Sequence, residues 1–352
     1  MNNTIAVIEL GDSHEECLSS SLYFLSQQYQ VDLYINGVPW QRCQEDLQAY
    51  CHKVQVIDSK KGIVSGIDSL RLALQLQKQA YKAVFLNTAQ GRIKFFCLFS
   101  LFNRSKFVGL LHNVQKLQKG FGQQLISNKV KHYLVLNDYL QPHAQALTNK
   151  PVSSFYPIFF PQQRRMPIKK PQEQVWISIP GRVDYKRRDY QALIGLAQRL
   201  KNHPQYKFLI LGNIQASEDG RQLAQDIQKL DLSNQFICFN SFVSTPMFLG
   251  YIQASDIVLP LISPKVTDFD KYLRYKITGS WNMAFAFQKP LLVDPAFMQH
   301  ADFQENAVAF NLQASEQELI EQIRACRHIN GYQAPKWKRD FQQQNLLRCF
   351  EA

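Results

Sequence analysis

Apolar residues along this chain fall into short runs rich in β-branched and aromatic side chains, separated by longer stretches in which apolar positions recur at helical spacing. That alternation predicts parallel α/β units. In the first half the runs Ile5–Leu10, Val31–Ile35, Val54–Ile57, Ala83–Leu86, Phe107–Leu111 and Tyr133–Leu136 predict strands, and Leu18, Leu22 and Leu25 mark one face of the first helix. Around residues 160 to 173 the text changes to a stretch with Pro161, Pro167 and Pro171 among Arg164, Arg165, Lys169 and Lys170, which excludes regular structure and predicts a linker over 161–173. The alternation then resumes. Strands are expected at Val175–Ile179, Phe208–Leu211, Phe236–Phe239, Ile257–Leu261 and Leu291–Val293, with helices from about Tyr190 to Leu200, near Leu223 to Leu230 and near Pro246 to Ala254. The reading is therefore α/β with two Rossmann-like lobes, 1–160 and 174–336, and a last amphipathic helix at about 337–352.

Length agrees with this division, because 352 residues exceed what one hydrophobic core usually serves. The N-terminal run carries Glu9 and lacks a basic leader or small-residue cleavage site, so it reads as a strand rather than a signal peptide. The most apolar stretch, Phe95 to Phe102, is far short of the roughly 20 residues needed to cross a bilayer and reads as a buried helix. Seven cysteines show neither zinc spacing nor the density of a disulfide scaffold, and are expected to be reduced thiols of a cytoplasmic protein. The formal charge of +12 calls for an anionic partner, whether phosphate, acidic lipid or nucleic acid.

Neither lobe has a G-x-G-x-x-G after its first strand, and no P-loop occurs, which removes the main support for dehydrogenase and P-loop readings. The second lobe instead carries Gly181-Arg182 after a strand, then Lys186, then Asp189 at the start of a helix. Farther on, Phe208 to Gly212, Phe236 to Phe239 and Tyr251 to Pro260 give strand, strand, and helix running into a strand that ends in proline. The segment Tyr275 to Val293 gives a Thr278-Gly279-Ser280 turn, a helix, then Lys289-Pro290 and a buried strand. This order resembles the glycosyltransferases of the GT-B fold, in which two Rossmann-like domains face each other across a cleft, and especially their retaining family 4-like group.

The resemblance implies a nucleoside-diphosphate sugar as donor substrate, no cofactor and no metal. It makes Gly181, Arg182 and Lys186 the phosphate clamp, with cations lowering the barrier as negative charge builds on the departing diphosphate. Thr278, Gly279 and Ser280 would present helix amides to the same group. Without a ligand, the same residues are an ordinary basic turn and an ordinary helix cap. The chain departs from the family at one place: where the family has a pair of glutamates, it has Tyr275 and Met283. Donor identity, ribose recognition and the retaining outcome are thereby left open, with Asn282 or Asp294 as substitutes for the ribose contact.

In the first lobe, Gly11-Asp12-Ser13-His14 resembles the small-residue loop that such enzymes fold over the acceptor, and His112-Asn113 resembles their His-Asp or His-Asn, whose histidine faces the donor sugar. Asp12 is the candidate general base and His112 a hydrogen-bonding group or proton relay. The bland readings are a helix cap for Asp12 and a satisfied core histidine for His112. Arg104, Lys106, Lys116, Lys119, Lys129 and Lys131, mixed with Phe121, Leu125 and Ile126, suggest a surface for an anionic bilayer and a lipid-pyrophosphate-linked acceptor at the inner face of the plasma membrane. Enzymes of this kind commonly build capsule or lipopolysaccharide. Asp268-Phe269-Asp270 has the form of a metal and nucleotide motif of the other large glycosyltransferase fold, but reads better as a solvated loop. A sugar-nucleotide epimerase of the same fold and an inactive sugar- or nucleotide-binding descendant remain as alternatives. A nucleic-acid-binding protein lacks its expected basic reading helix.

Overall fold

The computed structural model describes residues 3–59, 62–118, 120–161 and 164–351. Two compact units are present: unit 1 comprises Met1–Gln162, Arg274–Ile277 and Pro335–Ala352, and unit 2 comprises Gln163–Leu273 and Thr278–Ala334.

Unit 1 is built on β1 (Thr4–Glu9), β2 (Gln30–Asn36), β3 (Lys53–Ile57), β4 (Ala83–Leu86), β5 (Lys106–Leu111), β6 (His132–Val135) and β7 (Val152–Ser154), in the order β3-β2-β1-β4-β5-β6-β7. Every pairing is parallel. β1 is buried throughout because helices cover both faces, which is why it reads as a continuous apolar run. Its side chains alternate between two cores. Ile5 and Val7 pack with Leu18, Leu22 and Phe85, while Ala6 and Ile8 pack with Leu72, Leu76 and Phe107. The last helix, Arg339–Arg348, belongs to unit 1, and Phe350 just beyond it packs against Phe85 and Tyr29.

Unit 2 repeats the plan with β8 (Val175–Pro180), β9 (Tyr206–Asn213), β10 (Phe236–Phe239), β11 (Ile257–Val258), β12 (Leu291–Val293) and β13 (Ala307–Ala309), in the parallel order β10-β9-β8-β11-β12-β13. Ile177, Ile179, Phe208 and Ile210 form one core with Leu193 and Leu223, and Trp176, Leu209 and Leu211 face Ile252 on the other side. In each sheet the strand order reverses beside the first strand, between β1 and β4 and between β8 and β11. Ligands of open parallel sheets sit at the strand C-termini at such a point.

Several sequence expectations need correction. β7 and β13 are too short and too little apolar to announce themselves, and β11 is only two residues because Pro260 ends the ladder. The helix expected near Leu223 begins earlier, at Glu218, where the Ser217 side chain caps it. Residues 164–173 are irregular, but they are part of unit 2 rather than a free linker. Met166 N donates to the Pro246 carbonyl (2.9 Å), and Lys170 pairs with Asp256 (2.6 Å). Gly250 permits this, since a Cβ there would lie 2.2 Å from the Met166 carbonyl oxygen. Gln162 and Gln163 of the expected linker lie outside the described residues.

The apolar stretch at 95–102 is only partly a buried helix. Lys94–Phe99 is helical and buries Phe96 and Cys97, whereas Phe95, Leu101 and Phe102 are exposed. Among the described residues, no helix is long and apolar enough to cross a membrane.

Candidate functional site

In unit 2 the loop after β8 opens with Gly181 at φ +107, a conformation that side-chain-bearing residues avoid. Arg182 and Lys186 follow, both exposed, and among the described residues neither side chain has a hydrogen bond or ion pair. Lys186 contributes only its backbone, with its N–H on Asp184 Oδ1 (3.0 Å) and its carbonyl bonded by Thr267 N. Two unpaired cations thus stand at the switch point of the second sheet.

Beside this loop starts the helix Gly279–Ala286, capped by Thr278, whose hydroxyl accepts from Ser280 N at 3.5 Å. Ser280 is 1% exposed and ties the two segments together: its hydroxyl donates to the Pro180 carbonyl (3.2 Å) and accepts from Arg188 Nη2 (3.0 Å). Arg188 Nη1 is buried and, among the described residues, unpartnered. Asn282, one turn into the helix and 4% exposed, has a buried Oδ1 in the same condition. Unmet buried polar groups of this kind are costly.

Asp189 caps the helix Tyr190–Arg199 through Ala192 N (2.9 Å) and accepts from Ser263 (2.7 Å). It also lines a cavity of about 410 Å³ at the C-terminal ends of β11 and β12, with Ser263, Lys265, Asp294, Phe310 and Gln313. Asp294 spends one carboxylate oxygen capping Ala296 N (3.0 Å).

In unit 1 the expected residues cluster around one that was missed. Glu9, the last residue of β1, is fully buried, and its carboxylate accepts from Gly11 N (2.6 Å), Asn87 Nδ2 (2.7 Å) and Thr88 Oγ1 (2.6 Å). Burial raises its pKa and these hydrogen bonds only partly offset the rise. Glu9 therefore fixes the loop after β1 to the loop after β4. The only sequence sign of this was a carboxylate inside an otherwise apolar strand.

Asp12 does not cap the first helix. It pairs with Arg92 (3.1 Å), and its carbonyl accepts from Arg42 Nη2 (2.6 Å). His112, 7% exposed, bonds the Asn87 carbonyl through Nε2 (2.8 Å), and its pKa is driven down to about 3, chiefly by burial and then by the neighbouring His14. It is a neutral donor at Nε2 and lies stacked on His14, with ring centroids 3.8 Å apart. Asp12, His14, Thr88, Arg92 and Lys116 line a cavity of about 190 Å³.

The basic surface assembles differently from the expectation. Arg104 and Lys106 sit at the start of β5 and Lys131 at the start of β6, the end of the sheet away from these loops. Lys129 is 8% exposed and lies over the Phe107 ring while bonding the Asn103 carbonyl, and Leu125 is half-buried and Ile126 buried. Lys119 lies outside the described residues. Instead Arg92, Lys94 and Lys116 meet Ile63, Val64 and Phe95 around a cavity of about 390 Å³. Phe121, on the adjoining helix Gly120–Lys129, is 74% exposed.

Tyr275, at a position the resemblance gives to a glutamate, belongs to unit 1. Its carbonyl accepts from Val114 N (2.8 Å), and its ring meets the edge of His143. Met283 packs among Trp176, Leu209 and Ile252. Asp268 is paired with Lys271 (2.5 Å) at the start of the helix Phe269–Arg274, and no cluster of three or more metal-ligating side chains occurs among the described residues.

Solved structures share this fold. HepE of Anabaena in complex with UDP superposes with a TM-score of 0.62 at 15% identity, covering 99% of this chain and 96% of that one. The lipopolysaccharide outer core galactosyltransferase WaaB gives 0.56 at 11% identity, covering 99% and 96%. A UDP-N-acetylglucosamine 2-epimerase, assigned as putative, from Listeria monocytogenes gives 0.66 at 8% identity, covering 99% and 95%. No protein-family model and no curated protein matches the chain. At these identities the likeness establishes the fold, which is the GT-B fold of two parallel α/β units.

Proposed function

We propose that this protein is a glycosyltransferase that moves a sugar from a UDP-linked donor to a saccharide acceptor carried on a lipid pyrophosphate. The observation that carries the reading is the pair Arg182 and Lys186, exposed and unpaired among the described residues, beside a helix N-terminus at the switch point of the second sheet. Such groups neutralise a departing diphosphate in fixed positions and need no reorganisation as charge develops. Asn282 Oδ1 is an acceptor in want of a donor, as a ribose hydroxyl would supply, and Asp294 lines the 410 Å³ cavity of the same unit. UDP is favoured because a structure of the same fold holds it.

The other unit supports the reading of the acceptor. Arg92, Lys94 and Lys116 beside Ile63 and Phe95, with the exposed Phe121 on the adjoining helix, suit a pyrophosphate next to a lipid chain and support a peripheral position on an anionic membrane face. WaaB, which acts in the lipopolysaccharide outer core, shares the fold, so a role in lipopolysaccharide or capsule assembly fits.

The test is thermal stabilisation of the wild type and Arg182→Ala by UDP, GDP, dTDP and ADP, since a ligand at one hundred times its Kd adds about 2.7 kcal/mol to the native state. UDP should raise the wild-type midpoint and act weakly on the variant. If no nucleotide stabilises the wild type, the reading is wrong. The epimerase reading, favoured by the Listeria likeness, predicts that UDP-N-acetylglucosamine is consumed without any acceptor and gives a new UDP-sugar rather than UDP. An inactive binder would take up UDP and turn over neither.

A further inference from the structure

His14 is held more tightly than a loop histidine needs to be. It occupies the left-handed region at φ 74, which is uncommon for non-glycine residues, and its carbonyl accepts from Asn87 Nδ2 at 3.0 Å. One face of its ring is covered by His112 at 3.8 Å, and Nδ1 stands 3.4 Å from Glu16 Oε1. Among the described residues Nε2 has no partner, and the side chain lines the 190 Å³ cavity with Ser13, Thr88 and Lys116. Asp12, the carboxylate of the same loop, is committed to Arg92.

We propose that His14 is the general base of the transfer, accepting the acceptor hydroxyl proton at Nε2 while Glu16 holds Nδ1–H. As the acceptor oxygen bonds to the anomeric carbon, the bond from that carbon to the diphosphate oxygen breaks and its electron pair leaves with UDP. The proton passes to Nε2 and then to water. This rests on the transferase reading above.

The electrostatics agree with that geometry. Burial lowers the His14 pKa, but Glu16, with Glu9 and Glu15, outweighs it, and the net shift is upward. Crowding by the surrounding loop raises that of Glu16, although its side chain is 45% exposed, but its hydrogen bond and charge interaction with His14 win and the net shift is downward. The other charges nearby are already engaged, Glu15 with Arg42 and Arg92 with Asp12, while Lys116 lines the cavity. His112 stays neutral, so the stacked pair carries a single titrating ring.

The test measures UDP release from UDP-glucose and UDP-N-acetylglucosamine between pH 5 and 9, with water and octyl glycosides as acceptors, for wild type, His14→Gln, Glu16→Gln and Asp12→Asn. UDP stabilisation is measured on the same preparations. His14→Gln should lower kcat by about 10²–10⁴-fold with donor KM retained, and abolish the acid limb of the profile. Glu16→Gln should move that limb to lower pH, and Asp12→Asn should keep it. An imidazole NMR titration, assigned with His14→Gln and His112→Gln, should show His14 titrating above pH 6.5 and His112 not titrating above pH 5. Wild-type kcat and acid limb in His14→Gln, or a His112 that titrates in place of His14, would overturn the proposal while UDP binding leaves the transferase reading intact. If UDP fails to stabilise the wild type, the reading and the proposal fall together.

Discussion

Replacing Ser280 with alanine removes a single hydroxyl that joins the loop after β8 to the helix beginning at Gly279. The side chain is almost wholly buried, so no water replaces it. Two hydrogen bonds disappear, one to the Arg188 guanidinium and one to the Pro180 carbonyl. A bond to a charged group is worth roughly 1.5–3 kcal/mol and a neutral one about 0.5–1.5 kcal/mol. Because Arg188 Nη1 already lacks a partner among the described residues, losing the Nη2 contact leaves a still poorer charge environment. Ser280→Ala is expected to destabilise unit 2 by about 2–3 kcal/mol.

Arg188→Met removes the charge and keeps the stem, at an expected cost of about 1–2 kcal/mol. The double variant should cost less than the sum, by about 1–2 kcal/mol, because methionine leaves no charge for the missing hydroxyl to strand. Urea unfolding followed by tryptophan fluorescence, to which Trp176 and Trp281 of unit 2 contribute alongside Trp40 and Trp337 of unit 1, measures all four species. The same segments frame the proposed diphosphate site, so UDP affinity should fall about tenfold in Ser280→Ala, the equivalent of 1.4 kcal/mol. Additivity of the two single costs to within about 0.5 kcal/mol would refute the clamp.

Gly181→Ala is expected to lose about 1–2 kcal/mol by urea titration, since φ +107 is strained for alanine and its Cβ would stand 2.9 Å from Arg188 Nη2. His112 gives a pH dependence with a definite sign. Its folded pKa of about 3 lies below the ordinary 6.5, so the unfolded chain binds the extra proton between those values and stability falls as pH drops through that window. Between pH 7.5 and 4.5 the loss from this group is about 3 kcal/mol, and His112→Gln should remove that part of the slope when urea midpoints are compared. His14, with its raised pKa, acts in the opposite sense: its contribution is present at low pH and disappears as pH rises through the folded value. Glu9→Ala strands Gly11 N and the Asn87 amide and should cost about 2–4 kcal/mol in a denaturant titration, with Glu9→Gln costing less because one acceptor oxygen remains. Lys94→Glu with Phe121→Ser should weaken sedimentation with anionic vesicles at least tenfold, whereas Lys129→Gln should not, because Lys129 is turned into unit 1.

Residues that act within one strand, turn or helix were the legible ones. Ile5 to Ile8 and Val175 to Ile179 announce parallel strands because both of their faces are buried, and Gly181, Arg182 and Lys186 fall in one short loop because few residues separate them. The Arg104 to Lys131 cluster misled for a related reason. Neighbours in sequence at the two ends of a parallel strand lie at opposite ends of the sheet, so Arg104 and Lys106 part company with Lys116 although few residues separate them.

What the sequence determined by itself was the repeated strand and helix alternation, the GT-B-like order of the second lobe and the bases at its first turn, because each depends on local propensity and short-range pattern. Only the tertiary structure decided that Glu9 ties together two loops far apart in the chain, that Asp12 pairs with Arg92 while His14 Nε2 has no partner among the described residues, and that Tyr275 packs in unit 1. Those outcomes depend on which loops the parallel crossovers bring to the same end of a sheet, and on which charge finds its partner first. Neither quantity is written in the spacing of residues along the chain.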